Sequence, residues 1–230
     1  MPKKSKSIKI TDRRANKAWL KKVRPSEYKI ETIEPNKVIL IVGEGQTEKL
    51  YFESFPVLSL TVEAVDLGGQ SKQKLIEATE SIVKNRNTKY DEIWCVFDMD
   101  IKKGEKEFAD FDNAIESGKA KGYKIAYSND AFEVWFYLHY QYNDQKNHRK
   151  FYYKALSERW NLNYEKEGKT YDFCKTIYSK LLNDKGSCQA KAIERAEKLF
   201  KAQENLDFHK QNPVTKVYEL VQYLNSKMRK

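Results

Sequence analysis

The chain has 230 residues, of which 40% are hydrophobic and 33% are charged, with a net charge of +10. This composition provides a sizeable core and an ordinary polar surface. No stretch approaches the roughly 18 consecutive apolar residues of a membrane-spanning helix, so a transmembrane helix is excluded and we expect no membrane partner.

The positive charge is concentrated at the start of the chain. Residues 1–26 contain ten Lys and Arg residues and a single acid, Asp12, which gives this segment +9 and leaves +1 for the remainder. We therefore expect residues 1–34 to form a basic arm that binds nucleic acid, although a solvated tail has the same charge pattern. The candidate binding residues are Lys9, Arg13, Arg14, Lys17, Lys21, Lys22 and Arg24.

Strands and helices alternate after the arm. Hydrophobic periodicity predicts strands at about 37–43, 60–66, 92–98 and 123–128, and helices at about 47–58, 71–86, 104–118 and from 131 onwards. Strands that alternate with helices of this length form βαβ units around a parallel sheet. We therefore predict an α/β domain over residues 35–145.

The C-terminal part has helical periodicity alone. Helices are predicted at about 146–159, 170–183, 187–204 and 214–227, and no strand is expected beyond residue 145. Asn212 and Pro213 would open the last of these helices, because proline is favoured in the first turn. Residues 146–230 are thus predicted to be a helical region packed on the sheet.

Acidic side chains follow two of the buried strands. The first strand breaks into Gly43-Glu44-Gly45, with Glu48 about one helical turn later, and the third breaks into Asp98-x-Asp100. The carboxyl ends of parallel strands share one edge of the sheet, where open α/β sheets place their ligands. Clustered carboxylates repel one another unless a cation lies among them, and oxygen ligands favour Mg²⁺ or Mn²⁺. We predict a site for such an ion.

These acids have other interpretations. Glu48 could simply be a favourable acid in the first turn of a helix. Asp98 and Asp100 could belong to a haloacid-dehalogenase-type phosphatase, but Lys102 stands where that motif has Thr or Val, and Glu44 would have no role. A receiver-domain phosphoacceptor would need an acidic pair after the first strand. A P-loop is excluded because the glycine before Lys-Ser/Thr is missing.

A third polar segment, Ser128-Asn129-Asp130, follows the fourth strand. Asp130 and Glu133 have the spacing of a helix capping box, which would explain both acids. The alternative places Asn129 or Glu133 beside the metal edge. His139, on the same helix, is expected to be a structural histidine.

Together these residues resemble the Toprim domain of topoisomerases, DnaG-type primases and OLD-family nucleases. More closely, the chain is similar to the RloB family, a bacterial Toprim-containing family associated with restriction loci and abortive phage resistance. The matching residues are Ile39-Leu40-Ile41-Val42-Gly43-Glu44-Gly45-x-Thr47-Glu48 with Tyr51-Phe52, then Phe97-Asp98-Met99-Asp100, Ser128-Asn129-x-x-Phe132-Glu133-x-Trp135-x-x-x-His139, Ala192-Ile193-x-Arg195-Ala196 and Asn212-Pro213-x-Thr215-x-Val217.

The resemblance implies a Toprim-like fold with Glu44 as general acid/base or ligand, and Asp98 and Asp100 as Mg²⁺ ligands. It also implies that Glu48, Asn129 and Glu133 belong to the site. The expected function is Mg²⁺-dependent (or Mn²⁺-dependent) cleavage of DNA or RNA in antiviral defence, with Glu44, Glu48, Asp98, Asp100 and Glu133 as catalytic residues.

The competing function is a catalytically silent nucleic-acid-binding or sensor subunit that works with an ATPase partner from the same locus. The cysteines, Cys95, Cys174 and Cys188, are scattered without metal-type spacing, which is typical of a reducing compartment. We therefore expect a cytoplasmic protein.

Overall fold

The computed structural model describes residues 37–65, 71–99 and 105–228. The predicted basic arm, with its seven candidate nucleic-acid-binding residues, lies outside these ranges, and so does Asp100. In the described part of the chain, no helix is long and apolar enough to cross a membrane.

A five-stranded sheet forms the centre of the protein. Its strands are β1 (Ile39–Gly43), β2 (Leu60–Ala64), β3 (Glu92–Asp98), β4 (Lys124–Asn129) and β5 (Val214–Thr215), in the spatial order β2-β1-β3-β4-β5. The first four strands are parallel to one another, and β5 runs antiparallel to β4. Every residue of β1 is buried, as expected of a strand covered on both faces. The predicted α/β fold is confirmed.

The helices are α1 (Gln46–Glu53), α2 (Lys72–Asn85), α3 (Glu105–Ala120), α4 (Glu133–Leu138), α5 (Arg149–Trp160), α6 (Tyr171–Asn183), α7 (Gln189–Lys201) and α8 (Val217–Lys227), with a 3₁₀ turn at Phe208–Lys210. Helix α1 is shorter than predicted because Pro56 disfavours the helical conformation in the residue before it. Leu58, at the end of the predicted helix, lies outside α1 and is exposed.

The prediction that no strand occurs beyond residue 145 is wrong. Val214 and Thr215 form β5, and the last helix begins at Val217 rather than near residue 214. The hydroxyls of Ser128 and Thr215 are 2.7 Å apart across the β4–β5 pair. A strand of two residues is too short to produce an alternating pattern, so no periodic signal predicts it.

Two hydrophobic clusters lie on opposite faces of the sheet. Alternate residues of β1 divide between them, with Ile39 and Ile41 on one face and Leu40 and Val42 on the other. Helices α2 and α3 cover the Leu40 face, whereas α1 and α4 to α8 contribute to the cluster on the Ile39 face. The C-terminal helices therefore share a core with the sheet.

Candidate active site

The parallel register brings Glu44 and Asp98 to the same edge of the sheet. Gly43, the last residue of β1, pairs with Val96 of β3, and the Glu44 amide donates to the Val96 carbonyl at 3.1 Å. Asp98 ends β3 and pairs with Ser128 of β4. This is the edge at which the sequence predicted a cluster of acidic side chains.

The negative charge of Glu44 is compensated by a lysine that sequence reasoning missed. The Lys72 ammonium lies 2.5 Å from Glu44 Oε1, and both side chains are largely buried, at 10% and 22% exposure respectively. Lys72 opens α2, and its amide donates to Asp110 at 2.6 Å. The second oxygen of Glu44, Oε2, is buried and has no hydrogen-bond partner in the described structure. Glu44 therefore has a lone acceptor oxygen available to a cation.

Asp98 lies between acidic and basic neighbours. Its carboxylate accepts a 3.4 Å hydrogen bond from the Phe132 amide, and the Arg149 guanidinium lies 3.8 Å away. Burial and the negative charge of Glu44 raise the pKa of Asp98 to about 8, against the opposing effect of Arg149 and Lys72. With 15% of its side chain exposed, Asp98 is accessible from solvent.

Glu48 lies in the first turn of α1 and packs over the glycines of the preceding turn. A Cβ atom at Gly43 would lie 3.1 Å from Glu48 Cβ, and one at Gly45 would lie 3.0 Å from Glu48 Oε2. The two glycines thus make room for this side chain. Burial raises the pKa of Glu48 to about 7, where Lys169 acts to lower it and Glu133 and Glu44 act to raise it.

Glu133 is buried and does not form the predicted capping box. Phe132 occupies the N-cap position of α4 and no side chain caps it, while Asp130 accepts from the Arg149 amide at 2.7 Å. Glu133 Oε1 instead accepts from the Tyr164 hydroxyl at 3.0 Å and pairs with Lys169. Its Oε2 atom is buried without a hydrogen-bond partner in the described structure. The capping-box interpretation is therefore wrong for both acids.

Lys169 supplies the positive charge at the Glu48–Glu133 end of the cluster. Burial disfavours its charge, but Glu133, Tyr153 and Glu48 raise the pKa of Lys169 above its ordinary value. Its ammonium is therefore charged at neutral pH. The site thus combines four described carboxylates, Glu44, Glu48, Asp98 and Glu133, with three basic side chains, Lys72, Arg149 and Lys169.

The remaining polar residues of the segment after β4 have structural partners. The Asn129 amide group donates to the His209 carbonyl at 3.0 Å, and its Oδ1 atom is buried without a partner in the described ranges. His139 is buried, with Nδ1 2.9 Å from the Trp135 carbonyl. Burial lowers the pKa of His139 to about 4, so its ring is neutral at pH 7, as expected of a structural histidine.

The described side chains at this edge have the oxygen donors that a divalent cation binds, although they do not form a complete ligand set. Among them, no group of three His, Cys, Asp or Glu side chains is already assembled at metal-binding distance, and the predicted ligand Asp100 lies outside the described residues. The donors that the edge does provide are oxygens, which Mg²⁺ and Mn²⁺ prefer. Glu44 Oε2 lacks a partner, and the raised pKa of Asp98 reflects a surplus of negative charge that a cation would relieve.

Comparison with known proteins gives one match. Residues 39–224 match a family model described as RloB-like protein. No curated protein and no solved structure matches the chain.

Proposed function

The chain belongs to the RloB-like protein family, and from this premise we propose that it is a Mg²⁺-dependent nuclease with a Toprim-like site. The observation that carries the proposal is the meeting of Glu44 and Asp98 at the carboxyl edge of the sheet, where Glu44 Oε2 has no partner in the described structure and Asp98 resists ionisation. A carboxylate edge of this kind suits phosphodiester chemistry because it can hold a divalent cation, which would neutralise the charge of the scissile phosphate during cleavage.

Asp98 and Asp100 would hold the ion, with Glu44 or Glu48 completing its coordination. A divalent ion bound there would polarise the scissile phosphate and stabilise the leaving oxygen. Mn²⁺ would serve the same donors, because its ligand preference is similar.

Where Glu48 completes the coordination of the ion, Glu44 is the residue we assign to proton transfer. It lies directly after β1 with one oxygen held by Lys72 and the other free of hydrogen bonds in the described structure. A carboxylate held in this way can accept a proton from an attacking water through its second oxygen, a role that typically contributes about 10²–10⁴-fold to a rate.

The basic side chains of the site have a second role when substrate binds. Lys72 and Arg149 compensate the carboxylates in the metal-free protein. Arg149 is 18% exposed, and its guanidinium can bind a phosphate oxygen through two N–H groups. We assign Arg149 to orienting the phosphodiester beside Asp98, which makes it a positioning residue.

The biological setting we propose is bacterial antiviral defence in the cytoplasm, with nucleic acid as substrate and an ATPase from the same locus as a partner protein. The basic segment at residues 1–26 supports nucleic acid as the ligand through its net charge of +9.

One observation favours a catalytically silent subunit instead. Glu44 and Glu133 are each already paired with a lysine of the same chain, so the acidic cluster is stable without chemistry. The two functions are separated by incubating purified protein with single- and double-stranded DNA, tRNA and other RNA in Mg²⁺, Mn²⁺ or EDTA. Cleavage that requires the metal and is lost in Asp98→Asn supports the nuclease. Binding without cleavage of any substrate would support the silent subunit.

A further inference from the structure

A groove of about 560 Å³ lies at the amino-terminal half of β3 and β4, away from the carboxylate edge. It exists because β5 pairs with β4 at Ser128 and Asn129 alone. The chain then turns away after the Lys216 amide donates to the Tyr127 carbonyl at 2.7 Å. Trp94 of β3 lines this groove and precedes Asp98 by four residues, about 13 Å along a strand. The groove is therefore separate from the candidate active site.

Aromatic rings form the walls of the groove. The rings of Trp94 and Tyr223 have centroids 5.9 Å apart, and those of Tyr127 and Phe208 are 5.7 Å apart. Tyr223 and Phe208 are only partly buried, and the side chains over their ring faces include the exposed lysines Lys124 and Lys119, which a stacking base would displace. These are surfaces on which a planar heteroaromatic group can stack.

Lysines stand over the same rings. The Lys119 ammonium is 4.2 Å from the Phe208 ring centre, and the Lys124 ammonium is 5.3 Å from that of Trp94. A third lysine, Lys216, also lines the groove and pairs with Glu219. Lys119 and Lys124 pair with Glu116 at 3.5 Å and Glu92 at 2.9 Å, acids that do not line the groove. Surface ion pairs of this kind are worth about 1 kcal/mol or less, so these two ammonium groups can exchange their partners for an anionic ligand.

Two hydrogen-bond donors in the lining residues are unused. Trp94 Nε1 and the Tyr223 hydroxyl are buried and have no hydrogen-bond partner in the described part of the chain. Burial raises the pKa of Tyr223 to about 12, so its hydroxyl keeps its proton at neutral pH. Buried donors without partners are rare in proteins and call for an explanation, which a polar ligand in this groove would provide.

We propose that this groove binds a nucleotide, with the base against the aromatic rings and the phosphate near the lysines. The volume lies within the range of about 300–1,000 Å³ that is typical of small-molecule sites. Aromatic rings and lysines together suit both ribonucleotides and deoxyribonucleotides, because every base has a π face that can stack and every phosphate is negatively charged. The basic segment at residues 1–26 is a poor occupant, since its charge would be repelled by the lysines.

The nucleotide can come from two sources. It can be free in solution, in which case the groove is a sensing site, or it can be part of a strand that also reaches the carboxylate edge. The proposal does not depend on nuclease activity at that edge, because the groove residues take no part in it.

The test is calorimetric titration of the full chain in EDTA with ATP, GMP and a short single-stranded oligonucleotide. The test variant is Lys119→Glu/Lys124→Glu, whose side chains are 49% and 48% exposed and so are replaced without disturbing the core. We expect this variant to weaken binding by about 10-fold or more, because two attractive charges become repulsive. The matched control is Lys154→Glu, an 81% exposed lysine on α5, which should leave the affinity unchanged.

A second variant, Phe208→Ala, removes one ring while keeping the lysines and should weaken binding by about 10-fold through loss of stacking. Equal affinity for mononucleotides and oligonucleotide identifies a free nucleotide as the ligand, whereas binding of the oligonucleotide alone identifies a strand. Binding that neither groove variant weakens would place the nucleotide elsewhere and overturn the proposal. So would the absence of binding by all three probes.

Discussion

Replacement of Glu48 by glutamine should make the metal-free protein more stable at alkaline pH. Burial raises the pKa of this carboxyl from the ordinary 4.5 to about 7. The folded state therefore holds a proton that the unfolded state has already released, and stability falls as pH rises from about 4.5 to about 7. Each unit of pKa shift corresponds to about 1.4 kcal/mol. Once the pH exceeds the pKa of the folded state, the loss in free energy of unfolding is therefore about 3 kcal/mol.

Glutamine keeps the size of the side chain and cannot ionise, so Glu48→Gln abolishes this loss. At about pH 5 the Glu48 carboxyl of the unfolded state is already largely ionised, so about 1 kcal/mol of this loss has occurred by then. The difference in free energy of unfolding between the variant and the natural protein should therefore grow by roughly 2 kcal/mol between about pH 5 and about pH 8.5. Urea unfolding in EDTA at the two pH values measures it.

The matched control is Glu53→Gln on the same helix. Glu53 is exposed and pairs with Lys49 at 3.7 Å on the surface, so its replacement should change stability by less than about 1 kcal/mol at either pH. If Glu48→Gln showed the same small, pH-independent difference as Glu53→Gln, the conclusion that burial raises the pKa of Glu48 would be refuted.

Three further outcomes are expected. Mg²⁺ or Mn²⁺ should raise the melting temperature in a thermal-shift assay, and the rise should be larger at about pH 8.5 than at about pH 6 because protons compete with the ion for Asp98. The double variant Asp98→Ala/Asp100→Ala should abolish this rise, and an unchanged rise refutes the metal site. Lys72→Met should let Mg²⁺ stabilise the protein at lower concentration, since the ammonium no longer competes for Glu44; an unchanged titration midpoint contradicts this. Deleting residues 1–26 should weaken nucleic-acid binding and reduce its log–log salt slope by roughly 0.7–0.9 for each lost phosphate contact, and an unchanged slope would assign the arm another role.

The part of the site that the sequence predicted is the part that strand order determines. Glu44 and Asp98 follow buried strands directly, so the assumption of a parallel sheet is enough to place them at one edge. The strand β3 matched its predicted bounds, because its apolar run is bounded by polar residues on both sides. Local pattern and topology together were sufficient here.

The basic half of the site could not be predicted in the same way. Arg149 opens a helix of the C-terminal region and Lys169 lies just before another, and both reach the acids through tertiary packing that no local pattern specifies. Lys72 follows the second strand at the same edge of the sheet, so its position offered a signal, but a single lysine in a lysine-rich chain does not distinguish itself.

The capping-box error has a related cause. Asp130 and Glu133 have the correct spacing for local capping, but Asp130 accepts from the Arg149 backbone amide at the start of α5, and Glu133 pairs with Lys169. Both partners come from the C-terminal region, and the charged partners, the Arg149 guanidinium at 3.6 Å from Asp130 and the Lys169 ammonium, strengthen these interactions. Spacing alone therefore favoured the wrong partners for both side chains.

The most direct test of the proposed function is the cleavage rate of Glu44→Gln on the best nucleic-acid substrate. Glutamine keeps the shape of the side chain and can still accept a hydrogen bond from Lys72, so folding and nucleic-acid binding should be nearly unchanged. The matched control is Glu63→Gln, since Glu63 lies on the neighbouring β2 strand and also pairs with a basic residue, Arg86. We predict a loss of about 10²–10⁴-fold in single-turnover rate for Glu44→Gln alone, with loss of phage protection in cells. A Glu44→Gln protein that cleaves and protects as well as Glu63→Gln would contradict the account.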